Sequence, residues 1–267
     1  MQREIQSRGE DMFGAVRKLG LAAIAFIFPL YLWRELYPLT EWSVLALLPL
    51  VAMIFWTMQK NAAAIYRAKL NVALRAGSPL SNLLTGRLSS GLLALGFVTA
   101  ALPVLSWQAL SSTPVEITGI SVLCLVAGAT SIMSQAWLAH HLHPPFSRTT
   151  GMTIGAVVAA IVFVPILAWI NWNFIEYPHE IRVLSLPEAM QFGMKELPAR
   201  RGWIAELLAV FYAADAVKLW LVLKYKSSIW PMVLFSLDAA LVAFIVAKVF
   251  VVLTEFVSCI TQKDSQQ

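Results

Sequence analysis

Asp215, Lys218, Asp238, Lys248 and Glu255 stand in sequence that is otherwise apolar for long stretches. A charged side chain at the centre of a membrane helix costs about 2.5–3.5 kcal/mol on insertion scales, so such groups face a bundle interior, a watery cavity or another subunit. Their types allow three kinds of chemistry: proton or ion transfer, ion-pair packing, and carboxylate catalysis. Asp215 and Lys218 are three residues apart and share a helix face. Asp238, Lys248 and Glu255 fall within an arc of about 100° on another helix. If residues 224–230 form the turn of an antiparallel hairpin, both aspartates lie about 12–14 Å from it at the α-helical rise. Lys218 is then placed to reach one aspartate or both, while snorkelling offers Lys218 and Lys248 a way out to the two interfaces.

Two aspartates on adjacent spans are also the arrangement of intramembrane aspartyl proteases, which carry Tyr-Asp on one span and Gly-x-Gly-Asp on the next. Here the residues read Tyr212-Ala213-Ala214-Asp215 and Phe235-Ser236-Leu237-Asp238. Neither motif is matched, so no protease activity carries over, and an intramembrane enzyme ranks third among the readings.

The elements that position these residues follow from composition. Of the 267 residues, 59% are hydrophobic and 13% charged, with mean hydropathy +0.71. Soluble domains carry about 25% charged residues. That excludes a soluble enzyme, a secreted disulfide scaffold and a disordered chain. Apolar runs at 19–38, 42–59, 87–107, 117–138, 151–171, 203–223 and 231–257 are each read as a helix able to cross the roughly 30 Å hydrocarbon core. They are continuously apolar rather than alternating, which argues against a barrel. The expectation is an all-α polytopic transmembrane helix bundle of about seven spans, one integral membrane domain over 1–267, with the N-terminus retained rather than cleaved as a signal peptide.

Orientation follows from Lys and Arg. Arg3, Arg8, Arg17, Lys18, Lys60, Arg67, Lys69, Arg75, Arg87 and Arg148 fall on one side of this seven-span order, as do Lys224 and Lys226. The loops 60–86, 139–150 and 224–230 contain no acid. This gives N-inside and C-outside, with the Arg200–Arg201 pair as the discordant element. Residues 60–86 begin as an extension of the second helix, with Ala62, Tyr66 and Leu70 on one face and Asn61, Arg67 and Asn71 on the other. That face suits anionic inner-leaflet lipids. Gly77 ends this helix and Ser78-Pro79 starts the next. In the outer loop, 172–202, Ser185-Leu186-Pro187-Glu188 starts a short helix through Met194. All ten tryptophans lie near span ends and read as interfacial anchors.

Gly151, Gly155 and Ala159, and Gly96 and Ala100, have the spacing that lets helices approach closely. Pro29 and Pro165 are expected to kink their helices. His140, His141 and His143 precede Pro144-Pro145 at the end of the fourth span, where a cation suits a helix C-terminus better than it suits a metal site. No metal or cofactor is expected, and no haem ligand pair lies on facing spans. The two cysteines, Cys124 and Cys259, imply no disulfide framework. The basic residues are explained by topology, so nucleic acid is not a partner. The leading expectation is a non-enzymatic subunit of a membrane complex in a bacterial cytoplasmic membrane. Its partners are the bilayer and a membrane protein or a second copy, with the hairpin of the sixth and seventh spans for packing, docking or coupling. The second is a stand-alone ion- or proton-coupled transporter or channel using Asp215, Lys218 and Asp238.

Overall fold

The computed structural model describes residues 2–73, 86–174, 179–197, 203–225 and 230–264. The expected helix boundary at Gly77 and Ser78-Pro79, the Arg200–Arg201 pair and the centre of the 224–230 turn lie outside them. The described residues are mostly helical, joined by short turns, and contain no strands. The long helices are α1 (Gln2–Leu36), α2 (Leu48–Ala73), α3 (Arg87–Ser111), α4 (Pro114–Leu138), α5 (Phe146–Phe174), α6 (Leu186–Glu196), α7 (Trp203–Lys224) and α8 (Trp230–Asp264), with short 3-10 helices at Glu41–Leu47 and His179–Arg182.

Six of these segments are long and apolar enough to cross a membrane: Phe13–Leu36, Glu41–Leu70, Arg87–Ser111, Pro114–Leu138, Phe146–Asn173 and Met232–Thr261. The expected sixth span forms as helix α7, but it is not among them. Glu206, Asp215, Lys218 and Lys224 divide its 22 residues too closely for an uncharged stretch of membrane length.

Each helix starts and stops for local reasons. Thr40 caps the 3-10 helix that leads into α2, its hydroxyl accepting from the Trp42 amide at 3.3 Å. Gly86 takes a left-handed conformation, φ 65°, at the start of α3, where it also lies against the Tyr66 ring; a side chain there would be strained and would collide. Between α3 and α4 the turn is tight. Thr113 and Glu116 cap each other, with Glu116 accepting from the Thr113 amide at 2.8 Å and Thr113 accepting from the Glu116 amide at 3.3 Å, and Pro114 opens the helix. In α6 the expected start at Ser185 is realised, with Glu188 accepting from both the amide and the hydroxyl of Ser185 at 2.7 Å. Those two bonds hold the Glu188 carboxyl below its ordinary pKa.

Helix α8 is the centre of the bundle. Its apolar window is 72% buried, whereas no other candidate span exceeds 39%. Val246, Ala247, Val249, Phe250, Val251, Val252 and Leu253 are all essentially inaccessible. A helix that is apolar on every side belongs in the middle of a large core, and α1, α2, α4 and α5 enclose this one. The largest helix–helix contact joins α4 to α5. There a side chain on Gly155 would run into the Ser131 backbone, and one on Gly151 into that of Gln135. The small-residue stripe therefore makes the close approach its spacing predicts. Gly96 has nothing near it and faces outward, so the matching spacing in α3 makes no such contact within the chain.

The helices alternate in direction. Trp33 near the end of α1 donates to the Ser106 carbonyl near the end of α3 at 3.2 Å. At the opposite end, Lys60 of α2 donates to Cys259 of α8 at 3.4 Å, and Arg148 at the start of α5 pairs with Glu255 of α8 at 3.8 Å. In the seven-span order the fifth and seventh spans run parallel. The pairing of Arg148 with Glu255 shows instead that α5 and α8 run antiparallel, with those ends together.

The tryptophan reading is also corrected in part. Trp33, Trp107 and Trp220 are buried inside the protein, whereas Trp42, Trp137, Trp169, Trp203 and Trp230 are well exposed. His140, His141 and His143 are exposed beyond the end of α4, with the His141 ring 5.1 Å from that of Trp137.

The α4–α5 contact generates a paired test. Overpacking a close contact costs about 1–3 kcal/mol. Gly155→Val is expected to lower the melting temperature of the purified protein in detergent, while Gly96→Val leaves it within error. Equal behaviour of the two variants would contradict the packing described.

Candidate functional site

The sequence fixes the site through three short-range rules. Asp215 and Lys218, three apart on α7, stand one above the other. Asp238 lies in the third turn of α8, two turns above Trp230. Gly193 of α6 lets that helix close on α7 at Tyr212 and Ala216. The segment from His179 to Lys224 then forms a second layer with its own small core of Ile181, Ala189, Leu219, Trp220 and Val222, completed by Phe235 of α8. Trp220 fastens the layer by donating to the Leu184 carbonyl at 2.8 Å.

Lys218 joins this layer to the bundle. Its Nζ lies 2.7 Å from Asp215 Oδ1 and 2.7 Å from Asp238 Oδ2. Its side chain is 11% exposed, against 31% and 24% for the two aspartates. The ammonium also lies 5.2 Å from the Phe235 ring centre and 6.0 Å from that of Trp107. Lys218 therefore reaches both carboxylates and does not snorkel. A lysine between the carboxylates, in place of a proton shared directly by them, separates this arrangement from the aspartyl dyad.

The bridge lines a cavity of about 290 Å³ between the layer and the ends of α3, α4 and α5. Gln108 and Ser111 contribute from α3, Thr113 and Glu116 from α4, Asn171 from α5, and Glu196 from the last turn of α6. Trp107 forms part of the wall, its ring stacked 6.1 Å from that of Phe211. It is buried, and its indole N–H donates to no atom among the described residues. The chamber thus holds Glu116, Glu196, Asp215 and Asp238 against one lysine. Partial burial at the rim, and then the charge on Asp215, push the Glu196 carboxyl above its ordinary pKa.

Lys248 and Glu255 belong elsewhere. Lys248 donates to Thr153 of α5 at 3.3 Å. Glu255 is 4% exposed and accepts from Cys259 at 3.7 Å, beside Arg148. The stripe of Asp238, Lys248 and Glu255 is thereby divided between opposite ends of α8, about 25 Å apart at the helical rise from 238 to 255. The structure brings together Asp215, Lys218 and Asp238 and separates the other two from them. Glu116, Glu196 and Trp107 were not identified as site residues from the sequence. The Thr113-Pro114-Val115-Glu116 cap signal was available for Glu116, whereas Glu196 reaches the chamber only through the packing of α6. Among the described residues, no group of three or more His, Cys, Asp and Glu is arranged to hold a metal ion.

Compared with protein-family models, curated proteins and solved structures, the chain matches none.

Removing one partner of a buried ion pair leaves an uncompensated charge and costs about 3–5 kcal/mol. Lys218→Met is therefore expected to lower thermal stability in detergent severely. The triple change Asp215→Asn, Lys218→Met, Asp238→Asn is expected to recover much of the loss. A triple variant no more stable than Lys218→Met would contradict the charge argument.

Proposed function

We propose that this multi-pass membrane protein is non-enzymatic and binds a proton or a small cation in the acidic chamber, in the manner of an ion-coupled transporter or channel. The observation that carries the reading is the surplus of carboxylates. A bridge that served packing alone would need Lys218 and its two aspartates, but neither Glu116 nor Glu196 around an open volume. Ionisable groups inside membrane proteins mark ion and proton pathways. The chamber lies at the small end of the roughly 300–1,000 Å³ range of small-molecule sites. On this reading, protonation or cation binding competes with Lys218 for Asp215 and Asp238, and so couples occupancy to the grip of α7 on α8.

A specific observation favours a second reading, the coupling or docking subunit of a membrane complex. Lys218 uses both neighbouring carboxylates at 2.7 Å, the arrangement expected of a clamp. Asp215→Asn and Asp238→Asn in proteoliposomes separate the two. The transport reading expects folded variants with a loss of pH-dependent flux of tenfold or more. Loss of a co-purifying partner, with flux unchanged, would overturn it in favour of the clamp.

The topology belongs to the same proposal. We place α1, α2, α3, α4, α5 and α8 across the bilayer and α6 with α7 as a cap over one end. Both ends of the chain then lie on the face bearing Lys60, Arg67, Lys69, Arg87 and Arg148, which the charge rule makes the inner one. The opposite face carries Glu35, Glu41, Glu116, Glu188 and Glu196. The bacterial cytoplasmic membrane is the compartment that accords with this asymmetry. Reporter tags at the two ends are expected to signal from the same side; signals from opposite sides would restore an odd number of spans and overturn this topology.

A further inference from the structure

A second cavity, of about 310 Å³, lies on the outer flank of the bundle and is built quite differently. Ala23, Phe26 and Leu30 of α1, Leu105 of α3 and Cys124 of α4 form its walls, and Phe250 of α8 is among the residues that line it. The lining changes in character along its length. Near the cap end of the bundle it gains Arg34, Gln108 and Ser112, the last two joined by a hydrogen bond of 2.9 Å. Arg34 is exposed, and among the described residues it makes no ion pair. Glu35, its neighbour in sequence, takes no part in the lining.

The dimensions identify the occupant. From Ala23 to Arg34 the groove follows eleven residues of α1, about 16 Å at the helical rise. That is about half of the roughly 30 Å hydrocarbon core, the depth of a single leaflet. An apolar channel one leaflet deep, ending in an arginine and a pair of uncharged polar side chains, fits one acyl chain lying between the exposed Ile27 and Tyr31 of α1 and Leu125 of α4, with its anionic headgroup at Arg34. The guanidinium offers planar, bidentate hydrogen bonding that matches a phosphate.

We propose that this groove is a binding site for an anionic phospholipid from the leaflet on the cap side of the protein. The site is independent of the acidic chamber's function, although Gln108 and Ile120 line both cavities. An acyl chain seated there lies beside Gln108 of α3 and Ile120 of α4, the two residues the cavities share.

The test uses the full chain, purified in detergent and titrated with phosphatidylglycerol or phosphatidylcholine of the same acyl length, with bound lipid counted by native mass spectrometry. One basic residue at a membrane surface accounts for about a fivefold preference for anionic over zwitterionic lipid. The wild type is expected to show that preference for the first lipid bound. Arg34→Gln is expected to abolish the preference while still binding lipid, and Arg34→Lys to retain part of it. Ala109→Trp, which fills the groove without touching the charge, is expected to weaken the first binding event for both lipids. Equal retention of the two lipids by the wild type would overturn the proposal, as would a preference unchanged in Arg34→Gln. Flux through the chamber is read separately on the same variants in proteoliposomes, so failure of the lipid site does not count against the transport reading.

Discussion

A helix that is apolar on every side has only one comfortable place in a folded chain, and α8 occupies it. Over Ile245–Leu253 almost every side chain is buried, so α1, α2, α4 and α5 must come together around it. The membrane makes the demand stricter than water would. With no solvent to bond stray amides, each spanning segment satisfies its own backbone by staying helical. Between helices, however, lipid tails are as apolar as leucine, so burial of apolar surface alone gives little drive to associate. Close packing and polar contacts have to supply it. The Gly151–Gly155 stripe against Ser131 and Gln135 is the first of these. The polar groups at the two ends of α8 are the second.

Those two ends are chemically unlike. At one, Glu255 meets Arg148 and Cys259, and Lys60 reaches the same cysteine. Three helices that are distant in sequence are drawn together around one buried carboxylate. At the other, Asp238 meets Lys218 of the cap rather than a group on a neighbouring span. The first set ties the bundle to itself. The second ties a separate layer onto the bundle, with open volume beside the tie. Both satisfy buried charge, but only the second is built where a ligand has room to compete for it.

Much of the architecture was legible because the apolar runs are long and uninterrupted. Their centres coincide with helices, and the runs 87–107, 117–138, 151–171, 203–223 and 231–257 fall wholly inside α3, α4, α5, α7 and α8. The extension of α2 beyond its apolar run, to Ala73, was legible in the helical pattern that follows it. Other ends were less legible. Hydropathy registers where apolar residues stop, not where backbone hydrogen bonding stops. Thus α4 starts at the Thr113–Glu116 cap three residues before the apolar run. Helix α7 is the exception among the expected spans. Its length and leucine content resemble one, but its four charged residues keep it from holding an apolar stretch of membrane length. The Asp215–Lys218 pair was legible from helical spacing. Its joining to Asp238 was legible only as one of two options, because a sequence does not say which rotamer a lysine adopts or how far two helices stand apart. The separation of Lys248 and Glu255 from that group follows from the same helical rise, about 15 and 25 Å above Asp238; what the sequence left out is the partners they find there, Thr153 and Arg148.

The charge distribution gains meaning from the six-helix arrangement. In a seven-span order, Arg148 and Glu255 would be separated by the membrane, and the positive residues around α7 would have to be divided between two sides. With α6 and α7 placed over the bundle end, the short connections sort without conflict: Lys60, Arg67, Lys69, Arg87 and Arg148 on one face, Glu35, Glu41 and Glu116 on the other. Of the positive residues on the acidic face, Lys195, Lys218 and Lys224 belong to α6 and α7, and Arg34 stands exposed near the end of α1. Lys218 meets Asp215, and Lys224 lies over the ring of Trp220 at 4.3 Å.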